Sequence, residues 1–169
     1  MDIEIRNPWH PDDAKHYTTD RMRNDFLIQD LFIPDKVKLV YSHVDRIIVG
    51  GVCPSEKVLT LEAGHELGVD YFLERRELGV INIGGPGTVI LDGEEYDLSY
   101  KDGLYAGMGI KEVSFKSDDP ANPAKFYLNS APAHHTYPTL KITMEMANKR
   151  PLGSVEGCNK RVINQYIHP

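Results

Sequence analysis

From Val37 onward the chain alternates short β-branched and aromatic runs with Gly, Pro and Asp. The runs begin at VKLVY, RIIVGGV and KVLTL, continue through VDYFL, ELGVINI, TVILD and EEYDLSY, and end with GLYAG, KEVSFK and AKFYLNS. Short candidate strands at roughly eight- to twelve-residue spacing predict an antiparallel sandwich or barrel rather than a parallel α/β sheet. Helical patterns are too scarce for the crossovers that parallel strands need. Asp92-Gly93 lies between TVIL and EEYDL, and Gly tolerates the positive φ of a two-residue type I′ hairpin. Gly84-Gly85-Pro86-Gly87 separates two strands and opens no helix, so it reads as a turn and not as a phosphate cradle.

Before Val37 the pattern changes. Thr19 to Phe32 is the best helix candidate, with Met22, Phe26 and Leu27 on one face, Thr19 or Asp20 as cap and Pro34 as terminator. The first sixteen residues, with two prolines and the lone Trp9, read as an arm that is mobile or docked on a neighbour. After Ser130, APAHHTYPT is interrupted by proline and is excluded as a central strand. A short helix over Thr143 to Asn148 and an extended segment from Arg161 to Ile167 complete the expectation. The chain thus divides into an arm (1–18), an all-β domain with a short N-terminal helix (19–150) and a C-terminal extended segment (151–169).

With 169 residues there is room for one sizeable core. Nothing approaches the roughly 18 to 20 apolar residues that span a bilayer. The acidic amino terminus lacks the basic start and apolar run of a secretory signal, so a cytoplasmic protein with no membrane partner is expected. A formal charge of −6 disfavours nucleic acid and leaves small molecules or proteins as partners. Cys53 and Cys158 are too few for a disulfide framework or a zinc site and read as free thiols.

Seven histidines raise the question of a metal. Two ligands on one strand need i, i+2 spacing to face the same way, and no His-x-His occurs. His134 and His135 are adjacent and diverge on an extended segment, while His10, His16 and His168 lie near the ends. His43 and His65 remain as isolated candidates, so no metal ligand is assigned. No Ser nucleophile elbow is present, and neither Cys has neighbours that would activate it. Glu74-Arg75-Arg76-Glu77 forms a charged cluster between apolar runs. It reads either as a solvated hairpin turn or as an anionic-ligand or subunit-contact site, since Arg presents a fork matched to carboxylates.

A family resemblance sharpens this. The first cupin motif runs Gly, five residues, His-x-His, three or four residues, Glu, six residues, Gly. Glu77 and Gly84 stand at the separation of its end, with Tyr71 and Leu73 where the two histidines would be. Asp102 to Gly107, followed by Gly109, resembles the turn of the second motif, with Lys111 near its expected His. Four longer strings, YSHVDRIIVGG, DYFLERRELGVINIGGPGTV, AKFYLNSAPAHHTYPT and NKRVINQYIHP, resemble the amino-terminal half of the 5-keto-4-deoxyuronate isomerase family, from about Arg23 to Pro169. The first twenty residues resemble nothing recognised.

The resemblance implies an antiparallel cupin-type double-stranded β-helix, or jelly-roll barrel, with Tyr71 and Leu73 filling the space of the cupin metal. It implies a cytoplasmic homo-oligomer, hexameric in the family, of two-cupin subunits acting in the breakdown of pectin-derived uronates. The implied reaction is ketol isomerisation of 5-keto-4-deoxyuronate to 3-deoxy-D-glycero-2,5-hexodiulosonate. Zinc is implied in the second cupin and none in this chain, whose last residues read as the linker to that cupin. Catalytic residues stay unassigned; Arg75, Arg76, Glu77 and Lys111 are the candidates for contacting a sugar acid, and the chain alone is expected to be inactive. Two further readings are open: a non-catalytic sugar-acid-binding or oligomerisation domain, and a metal-independent isomerase using Lys, Tyr and Glu.

Overall fold

The computed structural model describes residues 3–166. The predicted end of the last strand at Ile167, and His168, lie outside the described residues. The elements are β1 (Ile3–Arg6), α1 (Pro11–Ala14), α2 (Thr19–Phe26), β2 (Val37–Ser42), β3 (Ile48–Val52), β4 (Leu59–Thr60) and β5 (Arg76–Asn82). They continue with β6 (Gly87–Leu91), β7 (Glu94–Leu98), β8 (Gly103–Ala106), β9 (Val113–Ser117), β10 (Phe126–Pro132), β11 (Leu140–Ile142), β12 (Asn148–Leu152) and β13 (Arg161–Gln165).

Two open sheets face each other, a larger one ordered β1-β2-β3-β10-β5-β8-β11 and a smaller one ordered β4-β9-β6-β7. Strands β3 to β10 contribute β3-β10-β5-β8 to one sheet and β4-β9-β6-β7 to the other, the double Greek key of a jelly roll. The fold is therefore the antiparallel all-β architecture expected from the strand pattern, in the cupin-like jelly-roll form that the family resemblance implied. Between the sheets lies one apolar core, in which the rings of Phe115 and Phe126 meet at 5.3 Å.

The period-two alternation is clearest on β5. Arg76, Leu78, Val80 and Asn82 are buried, whereas Glu77, Gly79 and Ile81 face outward. Asn82 is fully buried at the end of the strand. Its amide donates to the carbonyls of Gly85 (2.7 Å) and Leu98 (2.8 Å), and its carbonyl accepts from the N–H groups of Gly84 (3.0 Å) and Lys125 (3.2 Å). One side chain thereby ties β5 to the turn that leads into the other sheet. That turn needs its glycines, because a Cβ at Gly85 would overlap the Asn122 carbonyl. The β6–β7 hairpin turns at Asp92 and Gly93, both at positive φ (48° and 89°), as a type I′ turn requires.

Four expectations are corrected. Residues 3–6 form β1, paired in parallel with β2, because Ile3 inserts into the core. The helix expected over 19–32 is the shorter α2: Thr18 caps it through its hydroxyl, and the backbone is already extended at Leu27 (φ −97°, ψ 126°), well before Pro34. Residues 69–73 form a loop and not a strand. Gly64 and Gly68, both at positive φ, bracket a 3₁₀ turn at His65–Leu67, and the Glu74 carboxylate accepts from the Asp70 N–H at 2.8 Å. Such local side-chain bonds compete with a ladder. Finally, residues 143–148 hold a turn closed by the Met146 N–H on the Thr143 carbonyl (3.1 Å), followed by β12, and no helix.

The expectation for the cupin interior holds at Leu73, which is fully buried, and not at Tyr71, which is half-buried; Phe72 enters the core in its place. Among the described residues no helix is long and apolar enough to cross a membrane.

Candidate functional site

The outward positions of β5, β8 and β10 form the floor of a cavity of about 330 Å³ on the outer face of the larger sheet. It runs into a second cavity of about 580 Å³ walled by Tyr137, Pro138, Leu140 and Met146. Glu77, Tyr105, Ile142 and Tyr166 line both, so the two make one groove. Gly79 and Gly103 leave the floor low, and Tyr127, Asn129 and Tyr166 rise around it.

At the junction the Tyr105 hydroxyl donates to Glu77 Oε2 at 2.7 Å. Partial burial, and then the carboxylate itself, push the Tyr105 hydroxyl well above the usual tyrosine range, because both disfavour a phenolate there. Glu77 is held from behind. Ser130 Oγ donates to the Glu77 carbonyl at 2.6 Å and accepts from Arg76 Nε at 3.1 Å. Tyr166 is anchored by its hydroxyl on the Lys101 carbonyl at 2.6 Å.

Of the four sequence-predicted contact residues, only Glu77 lines this groove. Arg76 points to the opposite side of β5, is 7% exposed, and donates to Ser130 O (2.9 Å) and Arg46 O (2.6 Å). Burial lowers its pKa. The cluster is thus not a solvated hairpin turn, since Arg76 and Glu77 sit inside β5. Arg75 is exposed and pairs with Glu74 at 3.5 Å. Lys111 is exposed beside the β6–β7 hairpin, where its backbone N–H donates to Asp92 Oδ1 at 3.0 Å. The structure does not bring the four together.

The groove residues that sequence reasoning missed are Tyr105, Tyr127, Asn129, Tyr137 and Tyr166. A signal existed for two of them. In Leu104-Tyr105-Ala106 and Phe126-Tyr127-Leu128 a tyrosine sits between two buried apolar residues on a strand, which places it on the other face.

A zinc ion does not fit the described residues of this chain. No group of three or more His, Cys, Asp or Glu side chains among them is placed to hold a metal, and one motif position is the core residue Leu73. His43 is exposed with its ring edge-on to Tyr41 (5.1 Å), and His65 is exposed in the 3₁₀ turn. Cys53 is buried and Cys158 exposed, both free; burial pushes the Cys53 thiol up.

The model of the KduI/IolB family matches residues 27–169. The 4-deoxy-L-threo-5-hexosulose-uronate ketol-isomerase of Lachnoclostridium phytofermentans is 58% identical over 167 residues, covering 99% of this chain and 60% of its own length. The protein of that name from Lachnospira eligens is 59% identical over 171 residues, covering 99% and 61%. The one from Yersinia pestis is 52% identical over 169 residues, again covering 99% and 61%. The similarity therefore takes in the first twenty residues as well. This chain spans about three-fifths of the length of these curated relatives. Among solved structures, an IolB-like protein from Salmonella typhimurium superposes with a TM-score of 0.54 at 13% identity, over 72% of this chain and 44% of that one, a likeness of fold.

Proposed function

Because the chain belongs to the KduI/IolB family, we propose that it serves a ketol isomerase converting 4-deoxy-L-threo-5-hexosulose uronate to 3-deoxy-D-glycero-2,5-hexodiulosonate. The observation that carries this reading is identity of 58% across 99% of the chain with a relative of that name. The reaction turns an aldehyde at C1 and a hydroxyl at C2 into a hydroxymethyl group and a ketone. A proton leaves C2, an enediol forms, and a proton is returned to C1, with no net oxidation. Such a step needs a base and a source of positive charge for the enediolate oxygen.

The described residues supply no zinc cradle, and Arg75, Arg76 and Lys111 do not converge. We therefore assign this chain a supporting part, providing fold and subunit contacts in a cytoplasmic homo-oligomer of pectin-derived uronate breakdown. The zinc implied by the resemblance is assigned to the part of the longer relatives that this chain does not match.

The test is proton NMR of the uronate in D₂O with the 169-residue chain alone, then mixed with the unmatched part of the Lachnoclostridium phytofermentans isomerase. Turnover on mixing, at least about a hundredfold above the chain alone, is expected. Full turnover by the chain alone would overturn the supporting role, and no turnover in either sample would overturn the isomerase reading.

A further inference from the structure

We propose that the outer groove centred on Glu77 and Tyr105 is a binding site for a neutral monosaccharide, one that rejects the corresponding sugar acid. The inference stands on the groove and not on the isomerase reading above.

Small-molecule sites are concave and mostly apolar, with a few placed polar groups. Here Tyr127 and Tyr166 line the groove beside Gly79 and Gly103, and one polar pair, Glu77 and Tyr105, is shared by its two cavities. The Glu77 carboxylate has about four lone-pair positions. Tyr105 uses one of them, and the remaining capacity suits sugar hydroxyls, which donate. The Asn129 side chain on the wall can both donate and accept. Aromatic walls suit the C–H faces of a pyranose, which are apolar while its edges are polar.

Charge decides between a neutral sugar and a sugar acid. Among the described residues Glu77 is the one acidic side chain that lines the groove, and none of those lining residues is Lys, Arg or His. Lys141, on β11 between Leu140 and Ile142, lies 4.0 Å from Asp102 Oδ2. His135 has its ring 6.3 Å from that of Tyr137, which walls the second cavity, and does not itself line either cavity. A second carboxylate brought into this groove would meet Glu77 with no described lining residue supplying a cation between them, and like charges in reduced dielectric repel strongly. A protein partner capping the groove would likewise have to bring a cation to Glu77.

The test compares D-galactose with D-galacturonate, which differ only at C6, on ¹⁵N-labelled 169-residue chain at pH 7. Galactose is expected to shift amide signals of β5, β8 and β10, with galacturonate at least tenfold weaker. Glu77→Gln is expected to bring the two ligands within about threefold. Gly79→Ala checks the location without threatening the fold: its added Cβ would meet only the Asn129 carbonyl, at 3.7 Å, yet it raises the groove floor and should weaken galactose binding. Equal or tighter binding of galacturonate would overturn the proposal. So would the absence of shifts with either sugar, unchanged affinity in Gly79→Ala, or shifts that depend on protein concentration and not on sugar, which would mean that a second copy fills the groove.

Discussion

Replacing Asn82 tests the way the two sheets are joined. All four hydrogen-bonding positions of its side chain are used, two donated to Gly85 O and Leu98 O and two accepted from Gly84 N and Lys125 N. At a net value of about 1 kcal/mol each, Asn82→Ala should cost about 4 kcal/mol. That is a large share of the roughly 5 to 15 kcal/mol of a typical domain. Asn82→Asp is more diagnostic, because it keeps the two accepted bonds and turns the donor end into an oxygen facing two carbonyls. Burial and those carbonyls both disfavour the carboxylate, so its folded pKa is raised above the unfolded value of about 3.9. The folded state then holds more protons than the unfolded one, and stability falls as pH rises above about 4. The slope reaches at most about 1.4 kcal/mol per pH unit and vanishes above the folded pKa. Urea unfolding followed by circular dichroism at pH 4 and pH 7, against the parent chain, should show Asn82→Asp losing about 2 to 4 kcal/mol more at the higher pH. A pH-independent cost, or an Asn82→Ala cost under about 1 kcal/mol, would refute the reasoning.

Other sites give sharper contrasts. Arg76→Ala strands the Ser130 and Arg46 carbonyls and should cost about 2 to 4 kcal/mol in urea unfolding, whereas Arg76→Met, which also removes the burial cost of the cation, should recover part of it. Gly85→Ala forces a Cβ into backbone at Asn122 and should lower the thermal midpoint markedly, while Gly79→Ala leaves it within about 2 °C. In alkaline titration at 295 nm Tyr96, Tyr105 and Tyr166 should ionise late, Tyr105 the latest, and Glu77→Gln should bring Tyr105 part of the way back while burial still holds it up. Because its pKa is raised in the folded state, Tyr105 retains its proton after the unfolded chain loses it, so stability falls as pH climbs past about 10. Native protein should react with one equivalent of thiol reagent, at exposed Cys158, and unfolded protein with two.

The antiparallel all-β class was legible because most strands carry their own signals, while the jelly-roll form came from the family resemblance. The Asp92-Gly93 turn, the glycine turn after Asn82 and most of the β-branched runs predicted elements that the structure contains. The failure at residues 69–73 has a physical cause. Tyr71, Phe72 and Leu73 have strand composition, but the pairing of Glu74 with the Asp70 N–H makes a local turn, and the apolar side chains still reach the core from it. Burial follows hydrophobicity more faithfully than hydrogen-bonded pairing does. Strand β1 was illegible for the opposite reason, being four residues long, with Ile3 alone in the core and its neighbours exposed.

The site was harder to read because charge draws attention to the wrong side of the sheet. Glu74-Arg75-Arg76-Glu77 looks like one cluster in sequence, but a strand sends successive side chains to opposite faces. Arg76 becomes an interior strut on Ser130 while Glu77 opens onto solvent-facing aromatics. A one-residue slip of β5 would exchange them, placing an uncompensated carboxylate in the core, so the ladder that pairs Pro132 with Arg76 and Ala131 with Glu77 also fixes which residue meets a ligand. Ser130 is the hinge of that assignment: its hydroxyl accepts from the interior Arg76 and donates to the backbone of the outward Glu77. Core stability and groove chemistry are coupled through this one hydroxyl, so Ser130→Ala should disturb both faces of the sheet although it lines no groove itself.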